Sequence, residues 1–352
     1  MKITHLECWQ HEMKLSEPFT IAYETIDRCV NVFLRIETNT GITGMGCAAP
    51  DLPVTGETAA TVLTAFKECI EPVLKGRDPF TYKRLNHELK KSLAKHPAAH
   101  AMADMALYDI MARKAGVPVY KLLGGYRDSI ATSITIGILP LEETLEKTRE
   151  FLAQGFRSIK IKGGKSLEKD VEKILKIREV AGPALGIRFD ANQGYTVAEA
   201  IAFIDKTRSA NIELLEQPTA KHDDELLKQV TQNVHVLVMA DESLMTLFDV
   251  FHLTRHDCTD MINIKLMKTG GIAEALHINS VAKAAGVDVM VGCMDESALG
   301  IAAALHFALA RPNIRYADLD GHLGLTGDPF AAMVVLRNGV LYPKEGAGLG
   351  DV

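Results

Sequence analysis

The sequence predicts an α/β protein, a (β/α) barrel entered from an N-terminal α+β module. Three observations carry that reading. From about residue 130, short β-rich runs alternate with stretches of helical spacing. The polar ends of those runs, at 162, 190, 216, 241, 265, 293 and 320, recur every 24–28 residues, the length of one strand, one helix and two short loops. The first run, SITIGI, is followed by LPLEE and not by the glycine-rich turn of an open dinucleotide-binding sheet.

The barrel strands are expected in the order SITIGI (133–138), SIKIKG (158–163), GIRFDAN (186–192), IELLEQP (212–218), HVLVMADES (235–243), MINIKLMK (261–268), DVMVGC (288–293) and RYADLDG (315–321). Intervening stretches such as LEETLEKTREFLAQG and IAEALHINSVAKAAG end on the glycine that helix C-termini favour. The first 125 residues read differently. MKITHLECWQHEMKL and NVFLRIETNTGITGMGCA alternate like strands, with TNTG and ITGMG as hairpin turns, and helical runs follow. The expected domains are therefore a capping module over 1–125, completed by the tail 326–352, and a barrel over 126–325 that carries the active site.

Composition narrows the function. The 352 residues carry 39 Lys+Arg against 45 Asp+Glu, a net charge of −6, with no basic cluster of the kind that holds a nucleic-acid backbone. No apolar run approaches the roughly 20 residues of a membrane span. His5, Glu7, Trp9 and Gln10 stand where a signal peptide needs an apolar core. Six cysteines are scattered without CxxC spacing and read as reduced thiols. A cytoplasmic enzyme with a small-molecule substrate is expected, with no nucleic-acid or membrane partner, assembled as a homo-oligomer.

In such a barrel the site lies at the C-terminal ends of the strands. Asp190, Glu216 and Asp241 end three successive strands and converge on one side of the mouth, where unpaired they would repel; a hard divalent cation taking oxygen ligands resolves that repulsion. Each alone could be a helix N-cap. Lys160 and Lys162, two apart on one strand, both face inward, and their mutual repulsion is expected to lower the pKa of one or both. Lys265 enters from the sixth strand, whereas alternation puts Lys268 on the other face, as a structural residue. Asp318 and Asp320 share a face at the end of the eighth strand, either as a turn before Gly321 or as a cradle for a substrate ammonium. Cys293 and Met294 read as space-filling, and the twelve histidines show no metal-ligand spacing.

The order KIK, FDAN, EQP, ADES, NIKLMKTGG and GCMDES resembles the enolase superfamily, in its muconate-lactonizing-enzyme-like subgroup, over essentially the whole chain. The resemblance implies a modified (β/α)7β barrel, a TIM-barrel variant, under an N-terminal α+β capping domain completed by the C-terminal tail, one Mg²⁺ per subunit on Asp190, Glu216 and Asp241, Lys162 and Lys265 as the acid/base pair, and Lys160 at the substrate carboxylate. The DxD of Asp318 and Asp320 is similar to that of dipeptide epimerases, which hold a free α-amino group there. This implies an isomerase inverting the C-terminal α-carbon of Ala-Xaa dipeptides by two-lysine proton transfer. A muconate-type cycloisomerase, an o-succinylbenzoate synthase or an N-acylamino-acid racemase is the alternative, and a non-catalytic binding protein a remote one. The capping loop PFTIAYETIDR should cover the site, with Phe19, Ile21, Ala22 and Tyr23 favouring a small, apolar or hydroxyl-bearing Xaa, and Glu24 leaving a cationic one open. Asp295 and Thr135 are further candidate substrate contacts.

Overall fold

The computed structural model describes residues 1–351. Strands β1 (Ile3–Thr20), β2 (Thr25–Thr38) and β3 (Thr43–Ala48) form an antiparallel sheet. Val32, Phe33, Leu34 and Ile36 of β2 are wholly buried. The sheet packs on the helix Pro97–Ala115, whose alanine-rich surface is buried almost all round. The ITGMG segment, read above as a turn, lies within the end of that sheet: it runs into β3. Its glycines serve close packing, because a Cβ on Gly46 would meet the carbonyl oxygen of Met102 at 1.9 Å.

Past a two-residue strand, β4 (Ile130–Ala131), the chain winds eight parallel strands in sequential order: β5 (Ile134–Ile136), β6 (Ser158–Lys162), β7 (Gly186–Asp190), β8 (Leu214–Glu216), β9 (Leu237–Ala240), β10 (Met261–Ile264), β11 (Asp288–Gly292) and β12 (Ile314–Asp318). Seven fall within the runs expected from the alternating pattern, and the eighth, β12, begins one residue before its run. A parallel bridge between Thr132 and Ala317 brings the last strand back beside the first, which closes the barrel. Because side chains alternate, each strand sends residues two apart into the lumen. The lower layer is built on Leu214, Met239, Met261 and Met290 with Tyr316 packed against them, and Arg188 enters it from β7. The layer above it is charged.

The tail is divided between the two parts of the molecule. Strand β13 (Leu325–Thr326) pairs with β1, but β14 (Val334–Arg337) and β15 (Val340–Pro343) form a hairpin that pairs with β4 at the barrel's entry. The sequence reading placed all of it on the capping module; the unpaired edge of β4 draws the hairpin instead. Residues 348–350 then return to the long helix, where Leu349 N–H donates to Asp109 Oδ1 at 2.8 Å.

The same helix anchors the barrel. Asp104 accepts the N–H groups of Ile272 and Ala273, at 2.6 and 3.3 Å, which open the barrel helix Ile272–Ala285, and it also accepts the Tyr82 hydroxyl. Removing that acceptor strands buried donors on both sides. Asp104→Ala is expected to cost about 2–4 kcal/mol in urea unfolding followed by circular dichroism; an unchanged midpoint would show that the junction does not depend on this cap.

Candidate active site at the barrel mouth

Register delivers the charges. Lys162 is paired across the sheet with Asp190, and Asp190 with Glu216, so three adjacent strands end on charged residues at one height. Asp241 and Lys265 each stand one residue beyond their strands. Asp190, Glu216 and Asp241 are buried and offer carboxylate oxygens within 4.8 Å of one another. Gln217 helps to set this group: with φ at 31° it turns its side-chain oxygen onto the N–H groups of Asp241 and Ser243, at 2.9 and 3.1 Å.

The lysines interleave with these acids. Lys160 Nζ lies 2.7 Å from Glu216 Oε2, 3.1 Å from Asp190 Oδ2 and 3.0 Å from Asp318 Oδ2. Lys162 Nζ donates to Asp190 Oδ2 at 2.8 Å, and Lys265 Nζ stands 2.9 Å from Asp241 Oδ2. Strands β6 and β10 are separated by three strands in either direction round the eight-stranded barrel, so Lys162 and Lys265 enter from opposite walls. Lys268 departs from its expected place. After Ile264 the chain turns into a short helix, Leu266–Thr269, so strand alternation no longer applies, and the fully buried Lys268 ammonium donates to the Asp241 carboxylate and to the carbonyls of Asp241 and Asn263.

These contacts set the protonation states. Burial alone would raise the Asp190 carboxyl, but Lys162 and Lys160 outweigh it and hold it below the usual range. Asp241 is likewise driven low, Lys265 and Lys268 overcoming its burial. Glu216 goes the other way, pushed up to about 7 by burial and by the charge on Asp190. For Lys160 the expected depression is reversed: burial lowers it, yet Asp318, Glu216 and Asp190 together hold it well above an ordinary lysine. Lys265 is also raised, Asp241 outweighing burial.

The donor set fits a hard divalent cation. Among the described residues, Glu216 Oε2, Glu242 Oε2 and Asn192 Oδ1 are buried oxygens with no hydrogen bond, although Lys160 is close to the first. Asp190, Glu216 and Asp241 bring together the carboxylate oxygens that a hard divalent ion takes as ligands.

The other candidates surround a cavity of about 520 Å³ between capping module and barrel. Asp318, Asp320, Thr135, Asp295 and Phe19 line it, together with Lys160, Lys162 and Lys265. The Thr135 N–H donates to Asp320 Oδ2 at 2.6 Å. Phe19 packs over Gly137, and the Ile138 N–H donates to the Thr20 carbonyl at 2.7 Å, which ties the capping loop to the barrel. Glu24 does not line this cavity; it borders an adjoining hollow that shares Asp51 and Asp295 with it. Asp51, unmarked in the sequence, therefore joins both. Its signal was an acid just before the short helix Leu52–Thr55, which it caps through Val54 N–H, a position that sequence alone reads as structural.

Comparison with known proteins gives matches along the whole chain. The N-terminal domain of the mandelate racemase / muconate lactonizing enzyme family matches residues 3–124, and an enolase C-terminal domain-like family matches residues 143–351. An L-Lys-D/L-Arg epimerase from Desulforapulum autotrophicum is 42% identical, covering 99% of both chains. The substrate-liganded L-Ala-D/L-Glu epimerase of Bacillus subtilis superposes with a TM-score of 0.97 at 38% identity, over 99% of this chain and 98% of that one. The Enterococcus faecalis dipeptide epimerase complexed with Mg and L-Leu-L-Tyr gives 0.95 at 40% identity, over 99% of both.

A cation seated by the three acids would bind the folded chain alone and so stabilise it. At a hundredfold excess over Kd the gain is about 2.7 kcal/mol, and Mg²⁺ is expected to raise the melting temperature by several degrees in scanning calorimetry. Glu216→Gln should abolish that increment; an equal increment in the variant would place the ion elsewhere.

Proposed function

The chain belongs to the mandelate racemase / muconate lactonizing enzyme family of enolase-like barrels, and from that premise we propose that it is a Mg²⁺-dependent dipeptide epimerase acting on a substrate whose C-terminal side chain is cationic. The observation that carries the reaction is the pair of lysines entering from opposite walls, with the acidic group between them.

Asp190, Glu216 and Asp241 would hold the Mg²⁺, which when bound offsets the negative charge that develops at a substrate carboxylate as its neighbouring carbon loses a proton. Lys160, fixed as an ammonium by its acidic neighbours, adds a second positive group for that carboxylate. Lys162 and Lys265 then serve opposite faces of the carbon. In one direction the amine of Lys162 removes the proton and the ammonium of Lys265 supplies another from behind; the reverse reaction exchanges the roles. The net result is inversion. A substrate α-ammonium faces the acids at the end of β12, and the cover of β1 and β2 shields the mouth from water.

Charge around the remaining pocket favours a cationic side chain over the small, apolar or hydroxyl-bearing one expected above. Asp51 and Asp295 both line the cavity that Lys162 and Lys265 also line. Glu24 stands behind them, its carboxyl raised by burial and then by the charges of Asp51 and Asp295. Among the described residues none of the three forms an ion pair; Arg28, the nearby cation on β2, is engaged with Asp27 and Glu12. Burial pushes Asp295 up to about 6, and a cationic partner would favour its charged form. Lys or Arg supplies one, whereas an apolar side chain leaves these half-buried carboxylates without one.

Proton NMR of α-carbon exchange in D₂O across a dipeptide library tests both parts. Exchange and inversion are expected at the C-terminal residue, fastest where it is Arg or Lys. Asp295→Asn should lower kcat/KM for those substrates roughly 10- to 100-fold, the worth of about 1.5–3 kcal/mol for a hydrogen bond to a charged group, with less effect on apolar ones. Exchange confined to N-acylated amino acids would exclude a dipeptide substrate, and a preference for apolar C-terminal residues would exclude the cationic pocket.

A further inference from the structure

Strand β2 of the capping sheet carries one polar side chain where it is otherwise apolar. Val32, Phe33 and Leu34 are wholly buried, and beside them stands Asn31, with 1% exposure. A buried amide is costly unless its hydrogen bonds are met. The backbone of Asn31 is held in the β1–β2 ladder, in register with His11. Its side chain reaches out of the sheet to the barrel: Nδ2 donates to the Asp295 carbonyl at 3.2 Å, and Oδ1 accepts the Ser297 N–H at 2.8 Å. A carbonyl can only accept and an N–H can only donate, so these two contacts fix which way the amide points. The thiols of Cys29, 3.7 Å from Nδ2, and Cys47, 3.5 Å from Oδ1, take up the rest of its capacity.

The loop held in this way has no ladder of its own. Strand β11 ends at Gly292, and the helix Ala298–Leu309 opens after Ser297. Between them the backbone depends on side chains for its hydrogen bonds. Met294 N–H donates to Glu296 Oε1 at 3.0 Å, and Asp328 accepts the Ser297 hydroxyl and the Ala298 N–H, both at 2.7 Å. Among the described residues, Asn31 is the one partner of the Asp295 carbonyl. Asp295 itself lines both the main cavity and the adjoining hollow, and among the described residues its carboxylate has no hydrogen bond or ion pair. The backbone that carries this carboxylate therefore sets its place.

We infer that Asn31 is a positioning residue for substrate selectivity: by clamping the two peptide groups on either side of Glu296, it ties the seat of the capping sheet to the point from which Asp295 faces the substrate side chain. The inference rests on the cationic-pocket reading for what Asp295 recognises; the clamp on the loop does not depend on which substrate is turned over.

The test measures kcat and KM for dipeptides ending in Arg and in Leu, in the Mg²⁺-loaded wild type, Asn31→Ala, Asp295→Asn and the double variant. Asn31→Ala is expected to lower the preference for Arg over Leu about tenfold, through KM, while kcat on the Leu substrate is kept. Because Asn31 acts through Asp295, the double variant should lose no more preference than Asp295→Asn alone. Asn31→Asp keeps an acceptor for the Ser297 N–H and loses the donor to Asp295; it should lose preference as well, which decides the matter where Asn31→Ala folds poorly. The crystal structure of Asn31→Ala should show the Asp295 backbone displaced. Losses that add in the double variant would overturn the inference, as would an equal loss on both substrates in Asn31→Ala, or wild-type preference in Asn31→Asp. A wild-type enzyme that prefers apolar C-terminal residues would refute the cationic pocket, yet the place of Asp295 in the Asn31→Ala crystal would still decide the clamp.

Discussion

The molecule is organised around burying a dense set of opposite charges at the barrel mouth, where Lys160, Lys162, Lys265 and Lys268 each stand against at least one carboxylate. Lys160, with 2% exposure, contacts three carboxylates, and Asp241 contacts two lysines. Each of these charges pays a desolvation penalty that its partners must offset, and such groups are stable only with close geometry and further hydrogen bonds. The strands provide the geometry, ending Lys162, Asp190 and Glu216 at a common height. Polar side chains add the rest: Gln217, just past β8, fixes the backbone at Asp241, and Asn263 on β10 donates to Glu216 Oε1 at 2.8 Å.

Around this charged layer the fold divides its tasks. The lower layer packs methionine and leucine around one buried guanidinium, Arg188, and closes the barrel beneath the charged layer. The capping sheet closes the top, with Phe19 laid on Gly137 and the loop from Ile21 to Glu24 carried over the cavity. Junctions such as the Asp104 cap on Ile272 hold the two parts in register, so a substrate between them meets a site built from both.

Much of this was legible in the chain itself. Period-two alternation and regular spacing located all eight barrel strands, because a strand buried on both faces has to be apolar until it reaches the mouth. The same logic exposed Asp190, Glu216, Asp241, Lys160, Lys162 and Lys265, since charge at the end of an apolar strand stands out. What escaped has a physical reason in each case. Lys268 was placed by extending strand alternation past the point where a helix begins. ITGMG has turn-like composition, but its glycines answer to a helix distant in sequence. Asp51 and Asn31 act with a partner that only the fold brings near, Asp295, and no local pattern records such a meeting. The direction of the lysine shifts was missed because repulsion between neighbours in sequence is local, whereas the carboxylates that outweigh it come from other strands.

The central claim is that Lys162 and Lys265 address opposite faces of one carbon. Stereochemically resolved deuterium exchange in Lys162→Ala and Lys265→Ala, with each epimer of a substrate dipeptide supplied separately, measures this directly. The account predicts that each variant loses inversion but still exchanges the α-proton of one epimer, and that the two variants retain opposite epimers. Retention of the same epimer by both, or inversion surviving in either, would contradict it.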